Sequence, residues 1–301
     1  MLNVDKDEWA KVGQGNWRAF RHVGFDLSRV ERASQRWAEA LHGITHPWLC
    51  WNVDEEWCLV QQKLVKSVGW TPIVGFDPRV GPPKRTVETA VVVNFNEGLE
   101  LPILYPHFPM EFVFQFCDKL AFWHSDLLIR QNLMRRLAAQ FDAIQDGETV
   151  ATYENQGLRH AFTKSRKRYW ELVGCTTRSA SLSQFKSGCG WWMNFKDHPN
   201  CPNEKEKMER SAYFWDHGAG IYYWHKKCSG RTIVLRDKII HEGHFSKIGN
   251  PSYKRNFPTN TSDSQRMMSK ELTQSFDLSK ACAMLCLSGL FAEEPSGAAG
   301  G

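Results

Sequence analysis

Two short polar clusters, each placed directly after an apolar run, contain the residue types best suited to binding a metal ion. The first cluster follows the apolar residues 120–123, and the second follows the apolar run that ends at Ile240. In chain order they are His124, Ser125 and Asp126, then His241, Glu242, Gly243 and His244. Polar residues at the end of a buried strand lie at the edge of an open α/β sheet, where ligands of such sheets bind.

If both clusters reach one edge, their side chains can bind a single divalent cation. The predicted ligands are His124, Asp126, His241 and His244. A donor set that mixes carboxylate with imidazole suits manganese better than calcium, so Mn²⁺ is the expected metal and Mg²⁺ the alternative. Each residue also has a purely structural interpretation. Asp126 would cap the following helix, His124 would be a hydrogen-bonded core histidine, and the later pair would end a polar loop.

The elements that must position these clusters follow an α/β pattern. Strands alternate with helices at residues 47–51, 54–68, 71–76, 120–123, 131–141 and 148–153. This alternation predicts a mainly parallel central sheet flanked by helices on both faces. Further strands are predicted at residues 220–224 and 232–240.

Composition excludes several classes of protein. The chain has 301 residues, 42% of them hydrophobic, and a net charge of +5, which is too small an excess to predict a nucleic-acid partner. No apolar run approaches the length of a membrane-spanning helix, and the first residues lack the pattern of a signal peptide. We therefore expect a cytoplasmic protein without a transmembrane segment.

Nine cysteines are present, with no Cys-x-x-Cys pair among them. Cys189, His198, Cys201 and Cys228 fall in one irregular stretch, which raises the question of a structural zinc site. Their uneven spacing argues against zinc, and buried reduced thiols are the favoured interpretation.

The order of these parts resembles that of a glycosyltransferase of the GT-A type. That fold has a Rossmann-like half for a nucleotide, an acidic Asp-x-Asp motif where the sheet ends, and a late histidine that joins the metal. By this resemblance His124-Ser125-Asp126 stands at the Asp-x-Asp motif, with Asp126 as the second aspartate and His124 departing from the first. The late histidine corresponds to His241 or His244.

The resemblance also implies a division of the chain into parts. Residues 1–44 are expected to form an N-terminal helical segment, and residues 45–153 the nucleotide-binding Rossmann-like half. Residues 154–291 are expected to form a more irregular acceptor-binding half, followed by a disordered tail at residues 292–301.

Several residues acquire expected roles in this scheme. Ser125, Asp126 and Asp77 are expected to contact the donor nucleotide, although Asp77 precedes a proline and could equally form a turn. Asp216, in a glycine-bearing segment, is the first candidate for a general base, with an ordinary turn as its alternative. Glu242 is the second candidate.

The resulting prediction is a hexosyltransferase-like enzyme. It would move a sugar from a nucleotide-diphosphate sugar to an acceptor that is a glycan, a lipid-linked molecule or a protein. Two other interpretations remain open. One is a metal-dependent hydrolase using His124, Asp126, His241 and His244 to activate water. The other is a non-catalytic module in which aromatic rings bind carbohydrate.

Overall fold

The computed structural model describes residues 27–101, 104–113, 116–153, 168–191, 195–198, 200–213, 217–244 and 277–291. Residues 1–26 of the predicted N-terminal segment and the predicted tail at residues 292–301 lie outside this set. The expected division into two halves and flanking segments stays a prediction. Strands from both expected halves belong to one sheet, as described next.

Seven strands and eight α-helices are present among the described residues. The strands are β1 (Pro47–Asn52), β2 (Thr71–Phe76), β3 (Val91–Val92), β4 (Lys119–Trp123), β5 (Glu148–Tyr153), β6 (Tyr169–Thr177) and β7 (Arg231–Leu235). The helices are α1 (Leu27–Leu41), α2 (Glu55–Lys66), α3 (His107–Val113), α4 (Gln131–Asp142), α5 (Arg178–Lys186), α6 (Glu204–Arg210), α7 (Ala219–Lys227) and α8 (Leu278–Leu285). Short 3₁₀ helices cover Phe195–Asp197, Lys238–Gly243 and Ser288–Phe291.

All seven strands form one mixed sheet in the order β3-β2-β1-β4-β6-β5-β7. Neighbouring strands pair in parallel except at β6, which runs antiparallel to both β4 and β5. Six strands therefore point the same way, which confirms the predicted α/β class with a mainly parallel sheet. The reversed direction of β6 brings its first residues to the edge where β4 ends.

The first β–α–β unit shows why this part of the sequence folds as it does. All six residues of β1 are buried, as expected for a central strand covered on both faces. Asp54 then caps α2, its side chain accepting a hydrogen bond from Trp57 N at 3.0 Å. Glu55 and Glu56 in the first turn of α2 are favourable next to the positive end of the helix dipole.

Aromatic side chains fill the core between β1, β4 and α4. The Trp48 ring contacts Trp70, Trp123 and Phe141 at centroid distances of 5.4, 5.2 and 5.1 Å. Trp48 and Phe141 are fully buried, so this cluster anchors β1, β4 and α4 against one another. The tryptophans in this cluster are therefore structural.

Two predicted strands differ from the structure. Residues 220–224, predicted as a strand, lie in α7, which begins after Gly218. The run predicted at 232–240 ends as a strand at Leu235, because Asp237 accepts a hydrogen bond from Ile239 N at 3.0 Å and caps a 3₁₀ helix. The second polar cluster therefore lies on this 3₁₀ helix.

No helix among the described residues combines the length and the apolar character that crossing a bilayer requires.

Candidate functional site

His124 and Asp126 lie in the turn that follows β4. Leu127 N donates to His124 O at 3.2 Å and closes the turn, and the Gln61 side chain donates to the backbone oxygens of His124 and Leu127 at 2.8 Å each. The turn is thereby fixed to helix α2. Within it, His124 Nδ1 lies 3.3 Å from Asp126 Oδ1.

The late cluster reaches the same turn through backbone pairing. Leu127 and His244 form an isolated antiparallel bridge, and Leu128 N donates to Gly243 O at 3.1 Å. A Cβ at Gly243 would lie 1.6 Å from Leu128 O, so this approach requires glycine. As a result His244 Nε2 lies 3.4 Å from Asp126 Oδ1, which brings together residues far apart in the chain.

The start of β6 supplies a further carboxylate to this edge. Glu171 Oε1 lies 3.0 Å from His124 Nε2, so the His124 ring faces Asp126 with one nitrogen and Glu171 with the other. Trp170 packs over the three nearby imidazoles, with centroid distances of 6.4 Å to His124, 5.6 Å to His244 and 5.0 Å to His241.

Two more histidines, His107 and His217, lie near Glu171. His107, the first residue of α3, places Nε2 3.9 Å from Glu171 Oε1. Its ring stacks on His217, with 3.5 Å between centroids and 10° between planes. A Cβ at Gly218 would lie 2.0 Å from Tyr169 O, and its φ is +80°, so glycine lets the chain carry His217 against the start of β6.

The electrostatics of His124 follow from its two carboxylate neighbours. Burial alone would lower its pKa, but Asp126 and Glu171 outweigh burial and raise the pKa of His124 to about 10. In return, and despite burial, His124 lowers the pKa of Asp126 and holds the pKa of Glu171 far below its ordinary value. In the metal-free protein, a charged imidazole thus lies between two carboxylates.

The two other buried histidines remain neutral. Burial lowers the pKa of His244 to about 4, although Asp126 opposes the shift. Burial, together with the neighbouring His217, holds the pKa of His107 well below its ordinary value. A neutral imidazole has a free lone pair and is the form that binds metal.

The donor atoms fit a divalent cation. His124, Asp126 and His244 each offer one ligand atom within 4.8 Å of the others, and so do His107, Glu171 and His217. Glu171 Oε2 and His107 Nδ1 are buried without a hydrogen-bond partner among the described residues, and both residues belong to the second group. Buried polar atoms are ordinarily satisfied, so these two atoms are available to a ligand.

The remaining predicted residues divide into three cases. Ser125 lies half-buried between His124 and Asp126, and the His241 ring packs on Trp170, outside both three-residue groups. Glu242 is 46% exposed and pairs with Arg130 at 3.2 Å. Asp216 lies outside the described residues.

Asp77, directly after β2, forms hydrogen bonds and an ion pair with Arg79. Both of its carboxylate oxygens bind the Arg79 guanidinium, at 2.8 and 2.9 Å, and Oδ1 also accepts from Arg79 N at 2.9 Å. Val80 N donates to Asp77 O at 2.9 Å, which is the turn that the following proline suggested. Its role toward a nucleotide stays a prediction.

Sequence reasoning missed Glu171, His107 and His217. An acid within an otherwise apolar strand was a usable signal for Glu171, since Leu172 and Val173 beside it are fully buried. His107 and His217 are not part of a sequence motif with metal-ligand spacing, so no pattern in the sequence paired them with Glu171.

Of the nine cysteines, all are free and six are buried, which agrees with the interpretation as reduced thiols. Among the described residues, Cys189, His198, Cys201 and Cys228 do not form a group with metal-binding spacing.

Comparison of the chain with protein-family models, with curated proteins and with solved structures finds no match.

Proposed function

We propose that the protein is a metal-dependent glycosyltransferase that moves a sugar from a nucleotide-diphosphate sugar to an acceptor. One observation carries the proposal: Asp126, directly after β4, and His244, far along the chain, place their ligand atoms 3.4 Å apart. This is the meeting of a strand-end acid with a late histidine that the resemblance to GT-A glycosyltransferases implies.

The sheet supports the same proposal. The strands before the motif, β1 to β4, are mutually parallel, as a Rossmann-like nucleotide-binding half requires. The later part of the chain contains four short α-helices, α5 to α8, and all three 3₁₀ helices of the described residues. An irregular second half is where the resemblance expects the acceptor.

Asp126, His244 and His124 are the residues that would hold the cation. A bound Mn²⁺ would supply positive charge that offsets the negative charge developing on the departing nucleotide diphosphate. Asp126 supplies the hard oxygen ligand, and His244 supplies a neutral imidazole that burial keeps unprotonated. Glu171 fixes the orientation of the His124 ring through Nε2, the usual arrangement of a carboxylate behind a metal-binding histidine.

Trp170 would give the donor or acceptor an aromatic surface beside the cation. Its ring is half-buried and faces His124, His241 and His244. Aromatic faces pack well against sugar rings. For the general base, Asp216 and Glu242 stay the candidates, and the exposed carboxylate of Glu242 is held by Arg130.

A second candidate function is a metal-dependent hydrolase. The observation that favours it is the number of ligating groups, since Glu171, His107 and His217 lie beside His124, Asp126 and His244. Metal-dependent hydrolases use such His-carboxylate sets to activate water. Release of phosphate from simple phosphoesters, without any requirement for a nucleotide, would favour this candidate.

The proposal is tested by thermal unfolding with nucleoside diphosphates. Uridine or guanosine diphosphate with Mn²⁺, at about 100 times its dissociation constant, should stabilise the protein by about 2.7 kcal/mol. For a chain of this size that corresponds to a rise in Tm of roughly 4 °C. Neither diphosphate nor Mn²⁺ alone should reach this shift.

Asp126→Asn is the decisive variant, because it removes the metal-binding charge and keeps the shape of the side chain. Asp118→Asn is the matched control, since Asp118 is exposed at the opposite end of the same strand. The shift should vanish in the first variant and persist in the second. Equal shifts in both variants, or none in the unmodified protein with either diphosphate, would refute the proposal.

A further inference from the structure

A second group is formed by His107, Glu171 and His217, of which the proposed function uses only Glu171, as the partner of His124. Its three ligand atoms lie within 4.8 Å of one another, the same criterion that the first group meets. The three residues come from α3, from β6 and from the turn before α7. Three separate segments therefore deliver ligating side chains to one point.

The buried carboxylate of Glu171 is the part of this group that indicates a ligand. Its side chain is only 7% exposed, and its Oε2 is buried without a hydrogen-bond partner among the described residues. Its other oxygen, Oε1, faces His124 Nε2 at 3.0 Å. A buried carboxylate oxygen ordinarily binds a donor or a cation, so Oε2 points to a ligand beside the first group.

The His217 ring is oriented for metal binding by a backbone carbonyl. Its Nδ1 lies 3.1 Å from Trp191 O, which can only accept a hydrogen bond. Nδ1 is therefore the protonated nitrogen, and Nε2 is the nitrogen through which the ring would bind a metal. A carbonyl behind the second ring nitrogen is the common arrangement of metal-binding histidines.

We infer that His107, Glu171 and His217 bind a second divalent cation, separate from the one held by Asp126 and His244. Two imidazoles and one carboxylate suit manganese or zinc. Glu171 would then act at both positions, as a ligand of the second cation and, through Oε1, as the partner of His124.

The two proposed cations would lie farther apart than the paired metals of two-metal hydrolases. A cation held by His124 together with Asp126 would lie on the Nδ1 edge of the His124 ring, whereas Glu171 lies on the opposite, Nε2 edge. The two cations would thus be separated by the width of an imidazole and a carboxylate. That separation exceeds the roughly 3.5–4 Å typical of paired metals that act on one phosphate.

Binding should turn one of the stacked rings. His107 and His217 are nearly parallel, with 10° between their planes, whereas an imidazole lone pair lies in the plane of its ring. One cation cannot lie in both planes until a ring rotates. Because Trp191 O holds His217, the His107 ring is the one expected to move.

Counting bound Mn²⁺ from the electron paramagnetic resonance signal of the free ion tests the inference. The unmodified protein should bind two ions. His217→Phe and His107→Phe keep an aromatic ring in the stack but remove its nitrogens, and each should bind one ion. His42→Phe, at an exposed histidine, is the matched control and should bind two. The unchanged Tm of each variant without metal confirms that it folds.

The outcomes separate this inference from the proposed function. One ion in the unmodified protein that is lost in Asp126→Asn would overturn the second site and leave the first in place. Two ions in both phenylalanine variants would overturn it as well. Two ions in the unmodified protein, one in each phenylalanine variant and no stabilisation by a nucleoside diphosphate would support the second site while refuting the transferase.

Discussion

Binding of the first cation should release one proton, and this makes its affinity depend on pH. The pKa of His124 is raised to about 10, because Asp126 and Glu171 outweigh the effect of burial. The pKa of His244 is lowered by burial to about 4. Between pH 6 and 8, His124 is therefore protonated and His244 neutral. A metal ion on His124 Nδ1 must displace that proton.

The expected magnitude follows from this count of protons. One proton released per ion means a tenfold gain in affinity per pH unit, or about 1.4 kcal/mol. From pH 6 to pH 8 the dissociation constant of Mn²⁺ should therefore fall by about a hundredfold. The carboxylates contribute little to this slope, because the pKa values of Asp126 and Glu171 are lowered and both stay ionised.

Titration calorimetry in buffers of different ionisation enthalpy measures the number of protons released per ion. The electron paramagnetic resonance signal of free Mn²⁺ measures the dissociation constant. Both are best done on His217→Phe, so that only the first cation is counted. His124→Gln is the control: it should bind more weakly and release no proton. A dissociation constant that stays constant from pH 6 to 8, with no proton released, would show that His124 is not a ligand or is not charged.

Three further predictions concern Gly243, which positions His244, and two buried side chains elsewhere in the fold, His198 and Arg210. Gly243→Ala should weaken Mn²⁺ binding at least tenfold, because its Cβ would lie 1.6 Å from Leu128 O and displace His244. Gly289→Ala, with open space around it, should bind normally, and equal affinities would contradict the argument. Burial lowers the pKa of His198 to about 3, so the folded state binds fewer protons than the unfolded state below pH 6.5. Its contribution to the free energy of unfolding should fall by up to about 1.4 kcal/mol per pH unit from pH 6 toward 4, and denaturant titrations of His198→Asn should show a flatter profile. Arg210→Met should lower the free energy of unfolding by about 3 kcal/mol, because Arg210 is buried, pairs with Glu206 at 2.8 Å and donates to Ser187 O at 2.7 Å. Lys207→Met, at a half-exposed side chain, should change it by less than about 1 kcal/mol in the same denaturant assay.

Elements with local signals were predicted well from the sequence. Strand β2 was predicted over the residues it occupies, and so was β5. The start of α2 was also predicted, since the acidic residues 54–56 are typical of the first turn of a helix. In each case the deciding interactions lie within a few residues of one another.

The wrong prediction at residues 220–224 and the missed residue Glu171 both depend on features outside their own segments. Residues 220–224 carry the aromatic residues typical of strands, but the segment packs as a helix after Gly218 turns the chain with φ +80°. The role of Glu171 depends on the antiparallel direction of β6, which only the completed sheet determines. No local pattern could show that its carboxylate reaches the end of β4.

Position 124 holds histidine where the resemblance expects the first aspartate of the Asp-x-Asp motif. The carboxylate that this exchange removes is replaced by that of Glu171 in β6. An aspartate at this position would place a second carboxylate next to the cation, whereas His124 places a neutral or charged ring there. Glu171 lies directly behind that ring, 3.0 Å from Nε2, so two carboxylates would still flank the proposed cation, one of them acting through the imidazole. Since imidazole binds manganese and zinc more readily than magnesium, this exchange favours Mn²⁺ over Mg²⁺ at the first position. Glu171 also adds a second negative charge to that of Asp126, and the two together stabilise the charged His124 ring.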